Sequence, residues 1–180
     1  MNLWINLVLF QLGWVATVWG AGAGYWWAAL VALAILAAVT FRLSPWPRTD
    51  FALMCAACLI GLVIDSAWVQ LGLLSFAEPM PFPALAPIWI LAMWMSFALT
   101  LNHSMRFFKD QLLLAGLFGL IGGPLAYWVA GTRFAAVELT AEPWIVYGTL
   151  ALAWAVVTPL LLAMASNWLP KLDPAPASRA

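Results

Sequence analysis

Asp65 is the only ionisable residue, two cysteine thiols aside, in the apolar run from Phe51 to Leu74. A carboxylate at membrane depth costs a few kcal/mol even on lenient insertion scales, so such residues face a bundle interior and often mark a function. Gly61, Asp65, Trp68 and Gly72 fall on one helix face by the i, i+4, i+7 rule, and glycines on such a face let a second helix approach closely. At the level of Asp65, Gln11 in another apolar run is the expected hydrogen-bond donor. Asp65, Gln11 and Trp68 are therefore read as a ligand-binding or proton-accepting site. The alternative reading is a buried carboxyl that clamps helices together.

His103 is the single histidine, preceded by Asn102 and followed by Ser104. Trp89, Met93, Ser96, Thr100 and His103 form a stripe at helical spacing. An imidazole there serves as acid or base near neutral pH, or else as an interfacial group held by backbone or headgroup. Counted from the same side, His103 and Asp65 differ by roughly ten residues, or ~15 Å of helix rise, too far to pair. The catalytic candidates are thus His103 as acid/base and Asp65 as an orienting carboxylate, with Asn102 binding ligand beside His103. Cys55 and Cys58 have C-x-x-C spacing, which suits a redox pair or metal, but in an Ala/Leu/Met-rich helix cysteine also behaves as a small hydrophobe. Gly116, Gly119, Gly122, Gly123, Pro124 and Tyr127 mark a bent helix that either opens a cavity, with Tyr127 binding ligand, or simply packs tightly. No P-loop, dinucleotide fingerprint, H-E-x-x-H or dense acidic cluster is present, so no metal site is assigned and the cofactor stays open.

Six apolar segments must position these groups: Leu3–Trp19, Gly24–Phe41, Phe51–Leu74, Ala86–Met105, Gln111–Ala130 and Pro143–Trp168. Each approaches or exceeds the ~20 residues that span hydrocarbon. Breaker-rich stretches separate them, above all Glu78 to Pro87 with its four prolines. The first segment resembles a signal sequence in its small residues at Gly20–Ala23, but no Lys or Arg precedes it, so it is read as a helix. Two thirds of the 180 residues are hydrophobic and 8% are charged, a composition that calls for lipid as solvent. Several of the 13 Trp, namely Trp26, Trp27, Trp46, Trp89, Trp144 and Trp168, lie near segment ends, as in an interfacial aromatic belt. No basic cluster points to nucleic acid.

Arg42, Arg48, Arg106, Lys109, Lys171 and Arg179 fall on one side of the alternating segments, and only Arg133 on the other. The positive-inside rule then places both termini in the cytoplasm. The expectation is an all-α polytopic membrane protein: a compact bundle of six transmembrane helices over residues 1–169, with a disordered cytoplasmic tail over 170–180. A faint echo in Gln11–Trp14, Asp65–Trp68 and Pro124–Tyr127 fits either three repeated hairpins or a Trp-rich composition.

The strings Trp94-Met-Ser-Phe97-Ala-Leu-Thr100-Leu-Asn102-His103-Ser104 and Gly119-Leu-Ile-Gly122-Gly-Pro124-Leu-Ala-Tyr127 resemble a family of small bacterial inner-membrane proteins with no assigned function. The resemblance covers most of the chain. It implies an inner-membrane location and a genomic setting near lipid-modifying enzymes, among them methyltransferases similar to cyclopropane-fatty-acid synthases and flavin-dependent oxidoreductases. It carries no catalytic residues. The function expected is binding of a lipid or other hydrophobic ligand in an intramembrane cavity, as enzyme or as accessory to a peripheral lipid-modifying enzyme. The alternatives are a small proton-coupled transporter and a structural subunit of a membrane complex.

Overall fold

A computed structural model of the protein describes residues 2–173. Six α-helices follow one another: α1 (Leu3–Gly22), α2 (Ala28–Leu43), α3 (Pro47–Gln70), α4 (Ile88–Ala98), α5 (Leu112–Phe134) and α6 (Pro143–Leu172). Two three-residue strands, β1 (Leu74–Phe76) and β2 (Val137–Leu139), pair antiparallel with Ser75 opposite Glu138. A 3-10 turn covers Arg106–Asp110. α1, α3, α5 and α6 are long and apolar enough to cross a membrane; α2 and α4 are shorter.

Local sequence accounts for the helix limits. Asn2 caps α1 by accepting from the Trp4 N–H at 2.9 Å. Pro47 opens α3 in the first turn, where its missing N–H costs nothing, and Asp50 adds negative charge at that N-terminus. Gly72, at φ +64, reverses the chain just past Gln70. α3 is therefore displaced toward the N-terminus from the expected Phe51–Leu74, and Gly72 is a turn residue rather than part of the Asp65 face. α6 continues through Pro170 to Leu172, so residues 170–172, expected in the tail, are helical. Asp173 then fixes the chain by accepting from the Thr49 N–H and Oγ1, both at 2.8 Å, at the start of α3. Residues 174–180 lie outside the described residues.

The fourth segment departs most from expectation. Its helix stops at Ala98, and Leu99 to Met105 run through irregular turns while staying almost wholly buried. Irregular backbone inside an apolar bundle requires that its freed N–H and C=O groups find partners. Asn6, fully buried on α1, supplies them: its Nδ2 donates to Leu99 O at 3.0 Å, and its Oδ1 accepts from the Ser104 N–H at 3.1 Å and Ser104 Oγ at 2.6 Å. At the other end of α4, the Ala86 N–H donates to Ser66 Oγ at 2.9 Å. α4 is thus a short central helix held at both ends by side chains of its neighbours. Trp89, Ala92, Trp94 and Ala98 are all at most 3% exposed.

Turns and helix directions place the α1 N-terminus, the start of α3, residues 99–111 and the end of α6 at one end of the bundle. Arg42, Arg48, Arg106, Lys109 and Lys171 are there, and this is called the basic end below. The two-stranded ribbon lies at the opposite end. Leu12, Val63, Leu113, Ile121, Leu152 and Val156 are each more than 60% exposed, giving the bundle an apolar exterior.

Candidate functional site

Asp65 is completely buried. Trp94 Nε1 donates to its Oδ2 at 2.6 Å, and Tyr127 Oη donates to its Oδ1 at 2.5 Å. One carboxylate thereby joins α3, α4 and α5. The geometry depends on Gly61, one turn before Asp65: a Cβ there would collide with the Trp94 indole. Trp68 packs edge-on against Tyr127 with centroids 5.8 Å apart, and Phe76 of β1 covers the same ring at 6.5 Å. Asp65 lies ~27 Å along α3 from Pro47, toward the ribbon end rather than near mid-helix.

Next to this cluster lies a cleft of about 340 Å³ between α1, α4, α5 and α6. Phe10, Gln11, Trp14 and Val18 form one wall; Trp89, Met93, Trp94 and Phe97 the back; Gly119 to Ala130 the other wall. Tyr127 and Trp94 separate the cleft from Asp65, so the two groups that bind the carboxylate also line the cavity. On the α6 side, Trp154 stacks flat on Trp94, centroids 4.7 Å apart and planes within 9°. Gly119 and Gly123 let α6 come close here: a Cβ on either would strike Trp154.

A second polar cluster sits at the basic end. Asp50, also completely buried, accepts from Asn102 Nδ2 at 2.7 Å on Oδ1, and from Ser44 Oγ at 2.5 Å on Oδ2. His103 Nε2 lies 3.0 Å from Oδ2, within hydrogen-bond reach. Lys109 Nζ donates to Asn102 Oδ1 at 2.6 Å. Burial pulls the Lys109 ammonium below its ordinary pKa, with the negative charge of Asp50 opposing that shift. Trp46 lies over His103, centroids 6.2 Å apart, and Arg106 sits 6.0 Å from the Trp46 ring on the outside.

One family model matches residues 3–160, and its description is a protein of unknown function, DUF2878. The chain belongs to that family. No curated protein and no solved structure matches it. For this member of DUF2878, function must therefore be argued from its own geometry.

Of the residues singled out in the sequence, Asp65, Trp68 and Tyr127 converge. Gln11 does not join them: it is exposed on the cleft wall, and the donors to Asp65 are Trp94 and Tyr127. The reason is that α4, not α1, packs on the Asp65 face of α3. Asn102 and His103 do come together, but on Asp50; Asp65 therefore does not orient His103. His103 is 3% exposed. Cys55 is exposed and Cys58 half-buried on α3. The sequence reading passed over Asp50, Asn6 and Trp94. For Asp50 a signal was present: Pro47 three residues earlier marks a helix start, which moves Asp50 from loop into helix.

Proposed function

We propose that the protein holds a lipid chain in the cleft between α1, α4 and α5, as an accessory protein in fatty-acid or phospholipid modification at a bacterial inner membrane. In this reading six helices lie within the bilayer, the basic end faces the cytoplasm by the positive-inside rule, and a peripheral lipid-modifying enzyme is the partner there. The observation that carries the reading is the cleft itself: about 340 Å³, walled almost entirely by aromatic and aliphatic side chains and glycine. Ligand sites of this type combine an apolar wall with a few placed polar groups. Gln11 at the rim and the Tyr127 hydroxyl behind the wall are such groups. Asp65 and Trp68 act as their support, holding Tyr127 and Trp94 in place. His103 belongs to structure in this reading, because its imidazole is enclosed and already engaged by Asp50.

Gly122 offers a clean test. A Cβ at that position meets only Phe118 ring atoms, at 3.9 and 4.0 Å, so a larger side chain there fills the cleft without moving a helix. In Gly122→Phe, the amount of fatty acid or phospholipid retained by the protein in nanodiscs should fall several-fold while thermal stability stays within about 1 kcal/mol. Retention equal to that of the wild type would remove the cleft as the lipid site.

The second reading is a proton-coupled transporter. It is favoured by a buried carboxylate whose hydrogen-bond partners, Trp94 and Tyr127, are both neutral donors. A pH-dependent substrate flux in proteoliposomes that disappears in Asp65→Asn would select it over the first.

A further inference from the structure

Two residues that line the cleft carry buried polar atoms that nothing satisfies. Trp154 Nε1 and Thr158 Oγ1, one helical turn apart on α6, are buried without a hydrogen-bond partner, and both residues line the cavity. Thr158 is completely inaccessible from outside the protein. Neither case follows from helix chemistry. Hydroxyls in helices ordinarily turn back on their own carbonyls, and three here do so: Thr149 Oγ1 donates to Val146 O at 2.9 Å, Ser166 Oγ to Leu162 O at 3.1 Å and Thr132 Oγ1 to Trp128 O at 2.7 Å. Thr158 lies between the first two on the same helix and makes no such bond. Trp154 is fixed in plane by its stack on Trp94 and by the edge of Phe97, centroids 5.3 Å away. Trp94 donates its own indole N–H to Asp65. Of two stacked indoles, one is paired to a carboxylate and the other, in the cleft wall, is unpaired.

A buried donor without an acceptor is destabilising, so a ligand that supplies the acceptor is favoured over one that does not. We propose that the deep end of the cleft recognises a lipid chain bearing an oxygen acceptor along the chain, with Trp154 Nε1 and Thr158 Oγ1 as its donors. The depth of the pair narrows the class. Thr158 is ~22 Å along α6 from Pro143, about halfway down that helix. In a bilayer with a hydrocarbon core of ~30 Å, the ester carbonyls of ordinary phospholipids stay near the interfaces, out of reach of mid-helix donors. The acceptor is then a carbonyl, ether or hydroxyl oxygen on the chain itself. The inference rests on the cleft being a lipid site and adds which lipid it selects.

The test compares stearic acid with its mid-chain keto derivative, each competing against radiolabelled stearic acid on the full chain in nanodiscs. The keto acid should bind the wild type roughly tenfold more tightly, the equivalent of one well-placed hydrogen bond. Thr158→Val and Trp154→Phe should each lower that preference several-fold, read as the ratio of keto-acid to stearic-acid affinity within the same variant. Thr158→Ser, which keeps the hydroxyl, should keep the preference. Equal affinity of the wild type for the two acids, or an undiminished preference in both Thr158→Val and Trp154→Phe, would overturn the inference while leaving the cleft as a lipid site. Binding of neither acid would overturn both.

Discussion

The protein contains two buried aspartates on one helix, and they are treated in opposite ways. Asp50 and Asp65 are both inaccessible and are separated by ~22 Å along α3. Asp50 is engaged by three side chains, two of them from the irregular stretch after α4, and no cavity adjoins it among those described. Asp65 accepts from two, and both of its donors form the wall of a cleft. The first cluster is closed: every partner points inward and fastens a turn that could not otherwise be buried. The second is half open. Its carboxylate holds two aromatic side chains that also line the cleft. A buried carboxyl group in an apolar bundle therefore does not by itself mark a site. The arrangement of its partners decides whether it fastens the chain or prepares a surface.

The contrast predicts a graded series. Asp50→Ala should have the largest effect, about 3–5 kcal/mol of stability, because Asn102 and His103 lose their shared acceptor while remaining buried. Reversible unfolding in mixed micelles reads this directly, and a loss below 1 kcal/mol would show that the basic-end cluster is not the fastener described. Asn6→Ala should come next. It removes three hydrogen bonds from the turn after α4, for about 1–3 kcal/mol, and hydrogen exchange should rise over residues 99–105 before it rises elsewhere.

Tyr127→Phe should cost only about 1 kcal/mol, in line with single interhelical bonds in membrane bundles. It should nonetheless change ligand retention, because the ring it frees lines the cleft. An effect on stability as large as that of Asp50→Ala would erase the distinction between the clusters. The smallest effect is a pH dependence. Lys109 has its pKa lowered by burial, so between that lowered value and the ordinary lysine value the folded chain binds fewer protons than the unfolded one. Stability should rise with pH through that alkaline window and be independent of Lys109 below it. Lys109→Gln should remove this rise, and a pH titration of the unfolding midpoint that shows the same slope in both proteins would exclude Lys109 as its source.

Much of this architecture is legible in the linear pattern. The run of six apolar segments corresponds to six helices, although α3 begins at Pro47 and α4 is only 11 residues long. The short α4 could not be read from hydropathy, because Leu99 to Met105 are buried whether helical or not. Burial sets their apolar character, whereas a distant amide, Asn6, sets their backbone path. The ribbon of β1 and β2 was also hidden: three-residue strands with 60 residues between them leave no periodicity to detect. At the candidate site, helix face placed Asp65 and Trp68 together, whereas Tyr127 was read on a separate bent helix and only the fold brings it to Asp65. The sequence reading assigned Asp65 the wrong donor, since a residue's level along a helix says nothing about which helix stands beside it.

What the sequence alone determined is the solvent and the element type. Two thirds hydrophobic residues with few charges, in runs near membrane length, leave helices as the way to satisfy each backbone group within its own segment. Tertiary structure alone decided the pairings: Asp50 with His103, Asp65 with Trp94 and Tyr127, and the unpaired Trp154 and Thr158 on the cleft. Backbone satisfaction is local and follows from periodicity. Side-chain hydrogen bonds between helices depend on which faces pack, and here that was governed by glycines such as Gly61 and Gly119, where the absence of a side chain lets a particular neighbour approach.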